Sequence, residues 1–526
     1  MDQKKQTIKN FQFNLISLVV NIALGLFYTP YLVRSLGIMA YGVVPLALVI
    51  NQYINVVTGS LTGSLTRFYS VAFQQSKYLD ASRYLSSSFV AISVVSIGLI
   101  PLFALLILKI EKVFNIPPEY ISEAKILFLF TIMSFLISMF SSLYNITLYS
   151  LNRLDLLNVV KIVRILSKII FTVVFFESIK NGISFIGYAN FLSEVAVLIL
   201  SIYYFRITVS NSVKISLNLF EKSSLFGVLS MTIWVIIHQI GDSGLYRIDN
   251  ILVNLFWSTR ESGILGALSE FGTYVMTVVA VIASLFGPLI LIAYSDGNHK
   301  SVIRLTSDNS LLVGLSSALI VGIMVGFAKP IVSLWLGEDY VPYKHWFILK
   351  QITLPFYAAA GVYAFVYRAW NRVIFPAVAT LALGVLNFGF SYFLCKIGDG
   401  SEKFIFYMLI VATVFMIIQS YGLNAFYFYK LYPEIGLKTP LLIFLKILFG
   451  LLFVIILSQV YSYLIKPIGL IKLLIGMGIV SIAFSLVTFR LFLNRHQKDF
   501  ISISIKKGSL FLKYHINGFI DNNTGI

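Results

Sequence analysis

Residues 224–257 read SLFGVLSMTIWVIIHQIGDSGLYRIDNILVNLFW. The stretch is apolar and long enough to cross a bilayer, for which about 20 residues suffice. Yet it holds His238, Asp242, Arg247 and Asp249 in its interior. Ionisable groups at membrane depth are costly, so these must face protein or a water-filled cavity. At about 100° per residue, Asp242 and Asp249 fall within about 20° of each other and His238 about 40° from Asp242, with Arg247 pointing elsewhere. Gly241 and Gly244 flank the first aspartate and would let the helix bend there. Intramembrane charges mark function by default; the competing reading is a neutralised set that only fixes helix packing.

The composition agrees with a membrane protein. Of 526 residues, 58% are hydrophobic and only 12% charged, and the mean hydropathy is +0.88. These values describe a polytopic all-α membrane protein rather than a soluble domain. The net charge of +18 raises nucleic acid as a partner, but lysine and arginine in cytoplasmic loops explain it more simply. Cys395 stands alone, which excludes an intramolecular disulfide and a cysteine-built metal site. The first apolar segment is too long for a signal-peptide core and is read as an uncleaved span.

About fourteen transmembrane helices are expected, among them 41–66, 157–176, 224–257 and 344–367. With the N-terminus inside, basic residues favour the inner loops and tails by roughly two to one, which places both termini in the cytoplasm. Every loop is short, which argues against an enzyme. The division expected is a six-helix lobe over 1–215, a second over 216–432, an extra helix pair over 433–493 and a basic cytoplasmic tail over 494–526.

A repeat supports that division. A shift of 221 positions carries Gly42 onto Gly263, Tyr53 onto Tyr274 and Arg83 onto Arg304. It also carries the polar stripe of the first helix, Asn14, Ser17, Asn21 and Tyr28, onto Val235, His238, Asp242 and Asp249. Six helices per half is an even number, so the lobes are parallel repeats around a central cavity. Helix two adds a polar row of Asn51, Asn55, Thr58, Thr62 and Thr66, which fits cavity lining and interhelical contact equally well. Glu270, Tyr274 and Thr277 on helix eight extend the polar surface.

Residues 157–176 read LLNVVKIVRILSKIIFTVVF. Lys161, Arg164 and Lys168 fall within an arc of about 60°. Three cations on one face, with no acid on the same face, point to a cavity that attracts an anion. Pairing with Glu194 or with lipid phosphates is the competing reading.

The motif TPYLVRSLGIMAYGVV, with Pro30, Arg34, Leu36, Gly37, Tyr41 and Gly42, resembles the signature of the polysaccharide-biosynthesis flippases. These are Wzx-type exporters within the multidrug/oligosaccharidyl-lipid/polysaccharide superfamily. The resemblance continues through Asp249 and the apolar run after it, GILGALSEFGTYV, and Phe286, Gly287 and Pro288, and covers the chain to about residue 430. It departs early in helix eight, where Gly266 and Ala267 stand without the usual tyrosine.

The resemblance implies movement of an undecaprenyl-pyrophosphate-linked oligosaccharide from the inner to the outer leaflet of a bacterial cytoplasmic membrane. Peptidoglycan-precursor (lipid II) flippases and multidrug or cation antiporters belong to the same superfamily and stay as alternatives, the last disfavoured by the basic face. The chemistry needed is consistent: Lys161, Arg164, Lys168 and Arg247 for phosphates, and Asn14, Asn21, Asn51, Asn55, Tyr28 and Tyr274 for sugars. No nucleotide-binding loop is present, so an ion gradient or membrane potential is the expected driver, with Asp242, Asp249, Glu270, Glu194 and His238 as coupling candidates. No cofactor and no nucleic acid are expected; the expected partners are the lipid-linked substrate, membrane lipid, a glycan polymerase and a chain-length regulator.

Overall fold

The computed structural model describes residues 3–48, 65–66, 68–70, 72–73, 75–179, 181–209, 212–284, 290, 293–294, 297–370, 372–398, 401–436, 438–466, 469–493 and 498. Asn51, Asn55, Thr58, Thr62, Phe286, Gly287, Pro288 and the tail beyond Lys498 lie outside these residues. All described secondary structure is helical.

Before Glu221 the long helices are α1 (Gln3–Leu36), α2 (Tyr78–Leu108), α3 (Ile121–Ser150), α4 (Leu154–Ser178) and α5 (Ile183–Thr208). After it come α6 (Lys222–Tyr246), α7 (Ile248–Phe256), α8 (Thr259–Ser284), α9 (His299–Gly326) and α10 (Ala328–Trp335). Three short helices follow, α11 (Lys344–Gln351), α12 (Leu354–Gly361) and α13 (Tyr363–Ala369). The last are α14 (Ile374–Ile397), α15 (Glu402–Ile417), α16 (Lys438–Ile465) and α17 (Leu470–Val487). In the first half α3 and α4 both pack on α5, and α1 lies against α4; in the second, α9 packs on α12 and α16, and α6 on α14.

Eleven described helices are long and apolar enough to span a membrane, against the fourteen expected. The other three segments differ for separate reasons. Of 41–66, the described residues are 41–48, in the short apolar helix Ile38–Leu48, and 65–66. The 157–176 segment is a helix of 25 residues, but its inward-turned charges make it too polar by composition. The 344–367 segment is divided among α11, α12 and α13.

The segment 224–257 is not one helix. It breaks at Arg247, whose φ of −132° and ψ of −13° are non-helical. The relation drawn between Asp242 and Asp249 on a single helical wheel therefore does not hold across the break. Gly241 and Gly244 are not the bend. A Cβ on Gly241 would meet the Leu381 backbone nitrogen at 2.5 Å, and one on Gly384 would meet the Gly241 carbonyl oxygen at 2.6 Å. These glycines let the α6 and α14 backbones touch, the small-residue contact by which membrane helices associate.

At the face carrying the N-terminus, α1 is fastened to the turn before α4. Gln6 Nε2 donates to Asn10 Oδ1 (2.8 Å) and to Asp155 Oδ1 (2.9 Å), and Asn10 Nδ2 donates to the Asn152 carbonyl (2.8 Å). Asn152 adopts φ +56°, a left-handed conformation that asparagine tolerates. Asp155 also pairs with Lys9 at 3.0 Å and Arg153 at 3.1 Å. Burial alone would raise this carboxyl; the hydrogen bonds from Arg153, Lys9 and Gln6 overcome it and hold the pKa at about 2. A carboxylate depressed below its ordinary value stabilises the fold above that ordinary value, and the contribution is lost as pH falls through the folded one. Thermal stability is thus expected to drop between about pH 4 and pH 2, and Asp155→Asn is expected to remove that part of the acid dependence. Parallel pH dependence in both proteins would show that the latch contributes nothing.

Candidate functional site

A cavity of about 510 Å3 lies between the halves. From α1 it receives Asn14, Ser17, Leu18 and Asn21, from α4 Lys161, and from the α6–α7 break Tyr246 and Arg247. Helix α8 supplies Gly272, Thr273, Met276, Thr277 and Ala280. Helical spacing explains the α1 contribution: positions 14, 17, 18 and 21 form one stripe. Among the described lining residues both charged groups are cations, one from each half, and the polar remainder consists of amides and hydroxyls. Lys161 is exposed to the cavity and makes no hydrogen bond or ion pair with the described residues.

The other members of the α4 basic row have different surroundings. Arg164 meets Glu194 of α5 through two contacts, Nε to Oε1 at 2.6 Å and an Nη2 hydrogen bond to Oε2 at 3.1 Å. Arg164 therefore follows the competing reading, pairing with an acid of the neighbouring helix. Lys168 lies about 10 Å farther along the helix than Lys161. Its ammonium stands 5.2 Å from the Tyr28 ring centroid, within cation–π range. It lies within ion-pair distance of no described carboxylate, although Glu270 and Glu194 both act on its charge.

Tyr28 and Tyr274 do not line the cavity. The Tyr28 hydroxyl bonds Thr172 Oγ1 at 2.9 Å, and Tyr274 packs over Gly25, where a Cβ would lie 2.7 Å from its ring. Tyr246 instead presents an aromatic surface to the cavity. His238 Nδ1 lies 3.3 Å from Asp242 Oδ2 on α6, outside the cavity lining. Glu270 borders a smaller recess of about 60 Å3 that shares Tyr246, Arg247 and Thr273 with the main cavity and also takes in Asp249 and Lys350. Asp249 is paired there with Lys350 of α11 at 2.6 Å. Lys350 is a site neighbour that no local pattern in the sequence marks.

At the face opposite the N-terminus the halves are joined. Asn115 N–H donates to Asn254 Oδ1 (3.0 Å), and Asn254 Nδ2 donates back to the Asn115 carbonyl (3.1 Å). Asn115 Nδ2 donates to the Trp257 carbonyl (3.1 Å), and the Thr259 hydroxyl bonds the Asn115 carbonyl. Trp335 Nε1 donates to the Leu26 carbonyl of α1 at 2.8 Å. Gly42 lies against the Thr259 backbone and Gly263 against Gly42, where no Cβ fits. Ser87 and Glu221 add a further pair of hydrogen bonds at the connection between the halves. The cavity occupies the half of the bundle nearer the N-terminal face.

This is the fold of the MATE transporters. A eukaryotic MATE transporter, AtDTX14, superposes with a TM-score of 0.64 at 14% identity, covering 83% of this chain and 99% of that one. An inward-facing multidrug-resistance MATE transporter of the MOP superfamily gives 0.62 at 14% identity over 81% of this chain and 98% of its own. A MOP-superfamily transporter from Pyrococcus furiosus, described by the reverse polarity of its binding pocket, gives 0.60 at 16% identity over 82% and 97%. In sequence, the chain is 25% identical over 386 residues to an uncharacterized membrane protein, EpsK, of Bacillus subtilis strain 168, covering 72% of this chain and 75% of that protein. No family model matches the chain. The protein is a multi-pass membrane protein with a transporter fold of two lobes.

Proposed function

We propose that this protein is a flippase that carries the diphosphate-linked headgroup of a lipid-anchored oligosaccharide across the bacterial cytoplasmic membrane. The observation that carries this reading is the polarity of the cavity: Lys161 and Arg247 are its described charged lining residues. A cationic drug would meet two like charges there, whereas a diphosphate would meet two charge-assisted partners. Asn14, Ser17, Asn21, Thr273 and Thr277 supply the hydroxyl and amide contacts that sugars require, and Tyr246 a ring face. The lipid tail remains in the bilayer, so only the headgroup has to be sheltered. The Pyrococcus furiosus transporter is similarly set apart by pocket polarity, said to suggest a different function.

A peptidoglycan precursor carries the same diphosphate, so the cationic pair serves that substrate equally; the sugars distinguish the two. Transport proceeds by alternating access between the lobes, driven by an ion gradient, with the cavity open toward the N-terminal, cytoplasmic face in this conformation.

In a strain lacking the gene, lipid-linked oligosaccharide is expected to accumulate on the inner leaflet. Wild-type protein restores export, and Lys161→Ala/Arg247→Ala at equal protein level does not. Normal export by the double variant would overturn the assignment.

A further inference from the structure

The break in the transmembrane segment at Arg247 has no proline or glycine at it. Kinks otherwise arise where another group enters the i→i−4 hydrogen-bond ladder, and the structure identifies that group. In a continuous helix the Tyr246 carbonyl would accept from the Asn250 N–H. Here Asn250 N–H bonds the Arg247 carbonyl at 3.3 Å and Asp249 Oδ1 at 2.9 Å. The vacated Tyr246 carbonyl accepts instead from Lys350 Nζ at 2.9 Å. The same ammonium pairs with Asp249 Oδ2 at 2.6 Å and stands 5.5 Å from the Tyr246 ring centroid. Lys350 thus touches the last residue of α6 and the first turn of α7, on either side of the one residue that leaves the helix.

We propose that Lys350 is a positioning residue: by occupying the Tyr246 carbonyl and clamping Asp249 it keeps the segment broken at Arg247, and so keeps that guanidinium turned into the cavity. The consequence for substrate rests on the reading of the cavity as a diphosphate site. Lys350 itself borders two smaller recesses and is not among the lining residues of the main cavity. Its ammonium is committed to a carbonyl and a carboxylate, and it acts through Arg247.

Two measurements test this, and both use the neutral pair Asp249→Asn/Lys350→Met, which avoids leaving one buried charge without its partner. The first needs no substrate. With Cys395→Ser as background and Arg247→Cys as reporter, labelling by a small anionic thiol reagent is followed in native membranes. Introducing the neutral pair is expected to slow labelling by roughly tenfold, the size of one lost positioning hydrogen bond. Unchanged labelling overturns the proposal.

The second measures binding of undecaprenyl diphosphate to purified protein. Arg247→Gln and the neutral pair are expected to weaken binding by the same factor, and the combination by no more than either alone, because residues acting through one another are not additive. Multiplying losses would make Lys350 an independent contributor and overturn the proposal. Undiminished binding by Arg247→Gln would instead remove the diphosphate reading, while the labelling result still decides whether Lys350 sets the geometry of the break.

Discussion

Asp249→Asn is expected to lower the stability of the protein by about 3–5 kcal/mol, the cost of removing one partner of a buried ion pair. The side chains of Lys350 and Asp249 are only 10% and 6% exposed. Without Asp249, the ammonium keeps its hydrogen bond to the Tyr246 carbonyl but has no counter-charge in contact. The thermal midpoint of the purified protein should fall, and substrate binding should fall with it, because Arg247 is carried by the same break. Adding Lys350→Met should recover most of the stability, since the uncompensated charge disappears with it. A well-folded Asp249→Asn protein with a native midpoint would mean that the pair contributes little. The placement also bears on ion coupling. A coupling group must differ in proton affinity between two conformations. Asp249 and Lys350 both belong to the half after Glu221, so a motion of one lobe against the other carries them together. This geometry favours a structural role for Asp249.

The legible parts of the site were those set by local periodicity. Asn14, Ser17 and Asn21 share a helical stripe and Lys161 heads a basic row, and the packing of α1 on α4 brings the two to one cavity. Arg247 could be read as an intramembrane charge, and its place in the cavity follows from its having to avoid lipid. What could not be read depends on partners distant in the chain. For Arg164 the sequence leaves two readings open, and only the fold selects Glu194, on the next helix, as its partner. The group that breaks the segment at Arg247 is Lys350, 101 positions beyond Asp249, and the break itself removes the wheel geometry that had linked Asp242 with Asp249. Gly241 and Gly244 look like bend points in isolation; only the presence of Gly384 opposite them shows that they serve close packing. Tyr28 and Tyr274 were legible as polar-stripe residues, but the stripe does not tell which of its members turn toward a neighbouring helix. The all-helical membrane architecture was readable because hydrophobic length dictates it. The number of spans was less so, since α11, α12 and α13 break a segment whose composition is continuous.

Glu270→Gln is expected to leave substrate binding largely intact while making transport insensitive to an imposed pH gradient. Glu270 sits on α8 in the second half, and the charges that act on it are Lys168 of α4, in the first half, and Arg247. Tyr41 and Tyr274 also lie within its electrostatic reach. On the other side, Lys168 senses Glu270 and Glu194, of which Glu194 is already engaged by Arg164. Lys168 and Glu270 are thus opposite charges on the two halves that act on each other without an ion-pair contact. Rearrangement of the lobes changes their separation, and Coulomb interaction in a partly dry interior is strongly distance-dependent. A carboxyl whose opposite charge changes distance in this way binds protons differently in the two arrangements. That difference gives a proton gradient purchase on the conformational equilibrium, which the Asp249 pair, fixed within one lobe, lacks. Lys168→Ala is accordingly expected to abolish export at normal protein level, because it removes both the cation deepest along the basic row and the counter-charge of Glu270. Lys168→Arg should retain part of the activity. The deciding measurement is flux of lipid-linked oligosaccharide in proteoliposomes with and without an inward-to-outward pH step. A Glu270→Gln protein that binds substrate and still responds fully to that step would exclude Glu270 from coupling, and export by Lys168→Ala at the wild-type rate would exclude the pair.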